Sequence, residues 1–342
     1  MRAERNNPVK YNFFPYDQKK IMQELGAEPL LDALWNMLLI RHFETRAEAA
    51  YQQGKIGGFF HAYTGQEAIQ TAAVTAMGIN HWWITSYRCH ALALLLGATP
   101  NELMAELYGR ATGNAKGRGG SMHLYTERLL GGFGIVTGQM PIATGAAFTI
   151  KYKKVPGEVA ICFIGDGAVH QGSFHESLNM ASLWDLPCIY VIENNQWGMG
   201  THFQRANAVD HLAEDKAPGY AMKGYTWDGM SFFNCYAGFK HVCEEVISTS
   251  RPVLVEVITE RFKGHSISDP GLYRSKEELK ASMEKDPIQI FQKDLLDAGI
   301  LTPEVYKQKD KEIKEHVVAA MHYAEESPWP SAATLEEDVF AP

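Results

Sequence analysis

The stretch VAICFIGDGAVHQGSFHESLNMASLWDLPCIYVIENN, residues 159–195, contains the pattern that decides the fold. Short apolar runs at 159–164 and 188–192 flank a segment, about 170–184, whose pattern suits a helix. Short apolar strands that alternate with helices indicate a parallel sheet covered by helices on both faces. We therefore predict an α/β fold with a mainly parallel sheet flanked by helices.

Polar residues follow each apolar run at the point where a strand would end. Gly165-Asp166-Gly167 follows the first run, and Asn194-Asn195 follows the second. Because the carboxyl ends of parallel strands meet at one edge of a sheet, Asp166 and Asn195 are expected to lie close together. A carboxylate and an amide oxygen suit Mg²⁺, and Gly167 lets a phosphate group approach the backbone. The Gly-Asp-Gly segment alone is equally explained by a turn, and Asn-Asn alone by a helix cap. The two segments together favour a site for a cation and a phosphorylated ligand.

Composition and charge argue against several classes of protein. The 342 residues are 46% hydrophobic and 21% charged, as in an ordinary globular chain. A net charge of −8 provides no basic face for nucleic acid. The longest apolar stretches, such as 91–98, are too short for a membrane span, and residues 1–15 lack the apolar segment of a secretory signal. We therefore expect neither a nucleic-acid nor a membrane partner.

The five cysteines form no metal-binding or disulfide pattern. No C-x-x-C pair occurs, and most of the cysteines fall in apolar surroundings. They are predicted to be reduced, buried thiols of an intracellular protein, so we expect a cytoplasmic location. The alternative is the matrix of a mitochondrion or plastid, after removal of a transit peptide.

The segments before and after the central pattern are predicted to be mainly helical. Leucines recur at helical spacing from Leu30 until Gly54, and Thr64 with Glu67 matches a capping box that would start the next helix. Asp286-Pro287 and Thr302-Pro303 are start signals for helices near the end of the chain.

Two further segments complete this view of the chain. Residues 109–145 are rich in glycine and predicted to be mostly loop, whereas 253–258 fits another strand. We predict one main domain with helical N- and C-terminal extensions, divided into an arm at 1–27, a domain at 28–330 and a tail at 331–342.

Two alternatives come from other classes of function. The first is an NAD-dependent dehydrogenase on a Rossmann sheet, but its fingerprint requires a glycine where His170 stands, three residues after Gly167. The second is a non-catalytic scaffold that binds no cofactor. No P-loop motif occurs in the chain.

Seven sequence blocks, in order along the chain, resemble those of one enzyme family. They are GFFHAYTGQEA (58–68), SYRCH (86–90), GRATGNAKGRGGSMHLY (109–125), GGFGIV (131–136), GDGAVHQG (165–172), ENNQWGMG (193–200) and RFKGHSISDPGLYR (261–274). Over about residues 30–330 the chain resembles the alpha subunits of thiamine-diphosphate-dependent 2-oxoacid dehydrogenases, in particular those of the decarboxylating, acetyl-transferring component of pyruvate dehydrogenase complexes. The resemblance implies a thiamine-diphosphate-binding fold in its diphosphate-binding half.

The resemblance also implies roles for single residues around the cofactor. Tyr87 and Arg88 match the pair that holds the cofactor diphosphate, and a guanidinium fork suits phosphate oxygens. Gly134 and Val136 match residues whose backbone contacts the aminopyrimidine ring. The implied cofactor-binding set is His61, Tyr87, Arg88, Gly134, Val136, Asp166, Gly167, Ala168, Asn195 and His265.

Metal ligands and catalytic histidines are implied in the same way. Asp166, Asn195 and the backbone carbonyl of Trp197 match the Mg²⁺ ligands. His61 and His265 match histidines at the reacting end of the cofactor and are the expected catalytic residues. An imidazole can donate or accept a proton near neutral pH, which suits such a position.

The implied activity is oxidative decarboxylation of pyruvate with transfer of the acetyl group to the lipoyl group of an acyltransferase component. Acetoin and branched-chain 2-oxoacids are the alternative substrates. Because the blocks cover only the diphosphate-binding half, a separate beta subunit is expected to supply the carboxylate that faces the aminopyrimidine ring. We therefore expect an α2β2 heterotetramer, inactive without beta, in which loop 261–274 orders over the site when cofactor binds and lets the lipoyl arm approach His265.

Several positions depart from the family pattern. His170 stands where asparagine is common, Trp197 where tyrosine is usual, and Lys263 where histidine or arginine is frequent. Ser266 matches a serine that is phosphorylated in some relatives, whereas Leu272 replaces the later regulatory serine. We do not predict control by a kinase from Ser266 alone.

Overall fold

A computed structural model of the chain describes residues 9–340. The helices are α1 (Gln18–Leu25), α2 (Ala27–Gln52), α3 (Glu67–Met77), α4 (His90–Leu95), α5 (Pro100–Leu107), α6 (Gln139–Lys153), α7 (Gly172–Leu183), α8 (Phe203–Ala206), α9 (Phe232–Thr249), α10 (Lys276–Met283), α11 (Pro287–Asp297) and α12 (Pro303–Glu326). Within the described residues, no helix combines the length and the hydrophobicity needed to cross a bilayer.

Six of the strands form one parallel sheet. The strands are β1 (Trp82–Ser86), β2 (Leu129–Phe133), β3 (Ala160–Gly165), β4 (Cys188–Asn194), β5 (Trp197–Gly198), β6 (Thr201–His202), β7 (Lys223–Asp228) and β8 (Val253–Ile258). The sheet has the order β2-β1-β3-β4-β8-β7, and all its neighbouring pairs are parallel. Strands β5 and β6 form a small antiparallel ribbon beyond the end of β4. The α/β fold with a mainly parallel sheet is therefore confirmed.

Two apolar layers cover the two faces of the sheet. On β3, Ile161 and Phe163 pack into one layer, together with residues of α2, α3, α9 and α12. Cys162 and Ile164 pack into the other layer, together with residues of α6 and α7. Successive side chains of a strand point to opposite faces, so a strand buried on both sides is apolar throughout. The continuous apolar run at 159–164 is the sequence expression of this burial.

Most helix starts and strands expected from the sequence agree with the structure. Asp286 and Thr302 cap α11 and α12 by accepting hydrogen bonds from backbone N–H groups. Strand β8 has the bounds expected from the sequence, 253–258. The bounds of β3 and β4 differ by at most two residues from the apolar runs at 159–164 and 188–192. All five cysteines are buried and unpaired, as expected.

The capping box predicted for Thr64 and Glu67 is wrong. Helix α3 begins at Glu67 with Gln66 as its N-cap, and no side chain caps it. The Glu67 carboxylate instead accepts hydrogen bonds from Arg41 at 2.6 and 3.0 Å and from the Gly65 N–H at 3.0 Å. The half-buried guanidinium of Arg41 is the stronger partner for this carboxylate, because the hydrogen bond joins two charges.

The prediction of loop for most of 109–145 is also wrong in part. This stretch contains strand β2 and the start of helix α6. The glycines of β2 are required by packing, since a Cβ on Gly132 would lie 2.5 Å from the Cys89 sulfur. Glycine here indicates close contact between chain segments rather than the absence of a strand.

Candidate active site

One cavity lies at the carboxyl edge of the sheet, with a volume of about 880 Å³. It is lined by every residue that the sequence indicated for cofactor or metal: His61, Tyr87, Arg88, Gly134, Val136, Asp166, Gly167, Ala168, Asn195, Trp197 and His265. Six stretches of loop and strand end contribute these residues, which are far apart in the sequence. The fold therefore brings the complete set together.

The register of β3 and β4 places Asp166 and Asn195 on the same edge. Gly165 pairs with Glu193, so Asp166 and Asn195 leave adjacent strands within two residues of one paired position. Gly167 then approaches the ribbon that follows β4, because a Cβ on Gly167 would lie 3.5 Å from the Cα of Gly198. The geometric expectation that both side chains face one cleft is met.

Asp166 is a buried carboxylate that forms no direct ion pair within the described residues. Only 2% of its surface is exposed, and no Lys or Arg among residues 9–340 forms an ion pair with it. Burial raises the pKa of Asp166 from 3.8 to about 6. An anion in such a place is destabilised until a cation lies beside it. Asp166 is therefore suited to bind a metal ion, because a cation would stabilise its buried negative charge.

The other two proposed ligands are held by hydrogen bonds. The Asn195 amide nitrogen donates to Gln66 at 3.3 Å, which fixes the rotamer of the side chain. The Trp197 carbonyl accepts from Arg261 at 3.2 Å and keeps a second lone pair. Within the described part of the chain, no group of three or more His, Cys, Asp and Glu side chains could hold a metal. The candidate set differs from such a group because it combines one carboxylate with an amide and a carbonyl.

Two buried arginines supply positive charge to the cavity. Arg88 donates to the carbonyls of Ala62 at 2.8 Å and His265 at 2.7 Å. Arg261 is 1% exposed and donates to Trp197, Lys263 and Tyr273. Neither guanidinium has a carboxylate partner among the described residues. Burial lowers the pKa of Arg88 only to about 10, so it stays charged at neutral pH. Such a cavity can neutralise a buried anion.

Three aromatic side chains meet at one side of the cavity. The ring of His61 lies 4.3 Å from Tyr87 and 5.1 Å from His265. In both histidines Nδ1 is buried without a hydrogen-bond partner among the described residues. Burial, together with Arg88, lowers the pKa to about 3 for His61 and about 4 for His265. Both imidazoles are therefore neutral at pH 7, with one donor and one acceptor nitrogen each.

The loop that carries His265 is organised by one carboxylate. Asp269 accepts from the N–H of His265 at 2.6 Å, from the hydroxyl of Tyr273 at 2.7 Å and from the N–H of Gly271 at 2.9 Å. The loop backbone also forms a hydrogen bond with a neighbouring segment, because the N–H of Ile267 donates to the carbonyl of Phe60 at 3.0 Å. These contacts fix His265 over the cavity.

Sequence reasoning missed one carboxylate of the cavity. Glu193 ends the apolar run of β4, is 3% exposed and lines the cavity. It accepts hydrogen bonds from Tyr63 and, at 3.2 Å, from Gln70. Burial raises the pKa of Glu193 to about 7. An acidic residue within an apolar strand was the available signal, because such a residue requires a partner or a function.

The departures from the family pattern have simple structural settings. His170 lines the cavity beyond Ala168. Lys263 pairs with Glu48 of α2 at 2.8 Å, which ties the loop to a helix. Ser266 is 7% exposed and lies 2.9 Å from the hydroxyl of Ser268, whereas Leu272 is 87% exposed.

Comparison with known proteins gives one consistent result. The sequence model of the family described as "Dehydrogenase E1 component" matches residues 35–333. "Pyruvate dehydrogenase E1 component subunit alpha" of Rickettsia felis is 43% identical over 315 residues, which cover 92% of this chain and 96% of that protein. The protein of the same name from Rhizobium meliloti is 40% identical over 92% of this chain and 91% of its own length.

A relative from Ascaris suum is named as the same component as the relatives from Rickettsia and Rhizobium. "Pyruvate dehydrogenase E1 component subunit alpha type II, mitochondrial" of Ascaris suum is 42% identical over 292 residues, which cover 84% of this chain and 73% of that protein. The resemblance seen in the seven sequence blocks is thereby confirmed. This chain belongs to the dehydrogenase E1 component family.

Proposed function

We propose that this chain is the alpha subunit of a pyruvate dehydrogenase, which decarboxylates pyruvate oxidatively and passes the acetyl group to a lipoyl group of an acyltransferase. The observation that carries the proposal is the cavity that collects every expected cofactor residue around a buried carboxylate and two buried arginines, none of which forms an ion pair within residues 9–340. Family membership and the names of the three relatives support it.

The charges of the cavity fit a magnesium diphosphate. Asp166, Asn195 and the Trp197 carbonyl would hold Mg²⁺, which prefers oxygen ligands. Arg88 and Tyr87 would hold the diphosphate, with the backbone of Gly167 and Ala168 beside it. Gly134 and Val136 line the cavity, and their backbone would contact the aminopyrimidine ring. When bound, thiamine diphosphate supplies the nucleophile and the electron sink for loss of CO₂ from a 2-oxoacid.

The two histidines would handle protons at the reacting end. Both are neutral at pH 7 because their pKa values lie at about 3 and about 4. A neutral imidazole has one donor and one acceptor nitrogen, so it can orient and relay a proton at the reacting end. His61 is held by its contact with Tyr87, whereas His265 depends on the loop that Asp269 organises.

The cavity mouth supports a requirement for a second subunit. Three large apolar side chains that line it are highly exposed: Phe59 at 62%, Ile135 at 78% and Met199 at 65%. Exposed apolar side chains gathered at a site indicate a surface that a partner covers. We propose that a beta subunit binds here, in an α2β2 assembly that works with a lipoyl-bearing acyltransferase.

We retain two further expectations as proposals. The cofactor domain is proposed to span 28–330, between an arm at 1–27 and a tail at 331–342. The proposed location is the cytoplasm or an organelle matrix. Five unpaired buried cysteines support a reducing compartment.

The direct test is an assay of the chain co-expressed with a beta-type partner. Decarboxylation should require thiamine diphosphate and Mg²⁺, and pyruvate should be preferred over branched-chain 2-oxoacids and acetoin. Preference for another of these substrates would overturn the pyruvate assignment alone. Binding of NAD without thiamine diphosphate would overturn the cofactor assignment as well.

Arg88→Lys should weaken cofactor binding more than turnover. The guanidinium holds two carbonyls at once, and a lysine ammonium cannot reproduce this planar fork. Loss of one charged hydrogen bond is worth about 1.5–3 kcal/mol, so affinity for thiamine diphosphate should fall about 10- to 100-fold. Titration calorimetry on the assembled enzyme measures this, with exposed Arg118→Lys as the control. Unchanged affinity would rule out the role of Arg88.

His265→Ala should impair acyl transfer far more than cofactor affinity. The side chain lines the cavity, whereas Arg88 binds the backbone carbonyl of His265, which alanine retains. Loss of a proton-transfer group costs about 10²- to 10⁴-fold in rate. Transfer to free lipoyl domain should therefore fall at least about 100-fold, while affinity for thiamine diphosphate changes little. Exposed His322→Ala is the control, and equal losses in both measurements would contradict the role.

A further inference from the structure

Glu256 occupies the middle of β8, where every other residue of the strand is apolar. The strand reads Val-Leu-Val-Glu-Val-Ile over Val253–Ile258, and Glu256 is fully buried. It pairs in register with Ile192 of β4 and Thr226 of β7, so it lies well inside the sheet. A buried carboxylate costs free energy unless its oxygens accept hydrogen bonds. Hydrogen-bond donors must therefore surround Glu256 for the fold to tolerate it at this position.

Both carboxylate oxygens accept hydrogen bonds from neutral N–H groups. Oε1 accepts from the side-chain amide of Asn194 at 2.7 Å, and Oε2 accepts from the backbone N–H of Leu212 at 2.6 Å. The N–H of Ala213 is 3.4 Å from Oε2. No Lys or Arg within residues 9–340 forms an ion pair with Glu256. The residue thus joins the end of β4 to the segment that precedes β7.

Asn194 connects this contact to the proposed metal ligands. Its amide oxygen accepts from the N–H of Gln196 at 3.0 Å, and Gln196 has a φ of +71°, which side chains rarely adopt. The turn closed by this bond contains Asn195, and Trp197 follows directly after it. An amide has one donor end and one acceptor end. Because Glu256 binds the nitrogen, the oxygen must face Gln196.

We propose that Glu256 is a positioning residue for the cation site. It fixes the orientation of the Asn194 amide, which closes the turn that presents Asn195 and the Trp197 carbonyl. The inference rests on the proposed function, because the site matters only if these groups hold a metal with thiamine diphosphate. Partners that orient metal ligands commonly change metal affinity about 10- to 100-fold when they are mutated.

Three variants of the enzyme co-expressed with its beta subunit test the hydrogen-bond pattern. Glu256→Gln replaces one acceptor oxygen by an NH₂ donor. This new donor must face the N–H donor of either Asn194 or Leu212. Asn194→Asp places two carboxylates against each other. In the double variant E256Q/N194D, the new amide donates to the new carboxylate and still accepts from Leu212, while the carboxylate still accepts from Gln196. The double variant therefore restores all three hydrogen bonds with the same total charge.

Binding of Mn²⁺ in the presence of thiamine diphosphate, followed by electron paramagnetic resonance, is the readout. Each single variant should weaken Mn²⁺ binding at least about tenfold, and the double variant should return to within about threefold of wild type. Thermal unfolding of the same samples measures stability separately. Rescue of Mn²⁺ affinity in the double variant supports positioning through hydrogen bonds.

Two outcomes would overturn the proposal. One is a set of single variants that lose thermal stability but bind Mn²⁺ as tightly as wild type. The other is a double variant that binds Mn²⁺ no better than the weaker single variant. If Glu256→Gln does not fold, comparison of Asn194→Asp with the double variant decides by the same criterion. A wild-type enzyme that binds no Mn²⁺ with thiamine diphosphate would instead reject the proposed function.

Discussion

Replacing Asp166 by Asn is expected to abolish magnesium-dependent binding of thiamine diphosphate while it stabilises the cofactor-free chain. Loss of an outer partner of a metal ligand alone costs about 10- to 100-fold in affinity, so loss of the charged ligand itself should cost at least about 100-fold. Titration calorimetry with thiamine diphosphate and Mg²⁺ measures this loss.

The gain in stability follows from the pKa of Asp166. Its value is about 6 in the folded chain against 3.8 when unperturbed, so the folded state binds the proton more tightly than the unfolded state. Wild-type stability should therefore rise as pH falls from about 7 toward 4, whereas the neutral variant lacks this dependence. At pH 7.5 the variant should be more stable by up to about 3 kcal/mol.

Thermal unfolding at pH 7.5 and pH 5 checks this second half of the prediction. The difference between variant and wild type should be largest at pH 7.5 and should shrink at pH 5. Exposed Asp297→Asn is the matched control and should show no such trend. A variant that is less stable than wild type at pH 7.5 would mean that Asp166 has a structural partner rather than a place for a cation.

The chain without its beta subunit should show no decarboxylation of pyruvate. The proposed carboxylate for the aminopyrimidine ring is expected from the partner, and apolar side chains at the cavity mouth are exposed without it. We expect the rate to fall at least about 10³-fold relative to the assembled enzyme, because general acid–base groups each contribute about 10²- to 10⁴-fold. Release of ¹⁴CO₂ from labelled pyruvate, with ferricyanide as the electron acceptor, measures both samples.

Adding purified beta subunit back to the same preparation is the necessary control. Activity should rise with beta concentration and reach a plateau when the two subunits are equimolar. Full activity of the chain by itself, with thiamine diphosphate and Mg²⁺, would show that the site is complete within one subunit. The proposed α2β2 arrangement would then be wrong.

Three of the four inner strands, β3, β4 and β8, were predictable because they are buried on both faces. Such strands are mostly apolar, so they were recognised although Glu193 lies in β4 and Glu256 in β8. The inner strand β1 and the edge strands β2 and β7 were not recognised. Strand β2 contains two glycines, and β7 begins with Lys223-Gly224, because edge strands have one partner and more solvent contact.

The part of the site that was predictable from the pattern of strands and helices is the part at the ends of neighbouring strands. Asp166 and Asn195 follow neighbouring parallel strands, so their proximity requires no knowledge of the remaining fold. Arg88, His61 and His265 lie on loops whose path depends on long-range packing. Only the resemblance indicated them, because a single arginine or histidine in a loop has no distinctive pattern.

Two buried acids show what a closer view of the sequence can add. Glu193 and Glu256 both interrupt strands that are otherwise apolar, and both are buried beside the cavity or the turn that forms it. A carboxylate in such a strand indicates hydrogen bonds that the fold must supply. Which donors supply them cannot be read from the sequence, because the backbone N–H of Leu212 and the amide of Asn194 are distant along the chain.

The central claim is that two adjacent strand ends place a carboxylate and an amide oxygen around one magnesium ion. It is tested most directly by diffraction from crystals of the complete enzyme grown with thiamine diphosphate and Mn²⁺, with anomalous scattering used to locate the metal. We expect one peak about 2.2 Å from both an Asp166 carboxylate oxygen and the Asn195 amide oxygen. A peak bound elsewhere, or thiamine diphosphate bound without contact to these two residues, would contradict the account.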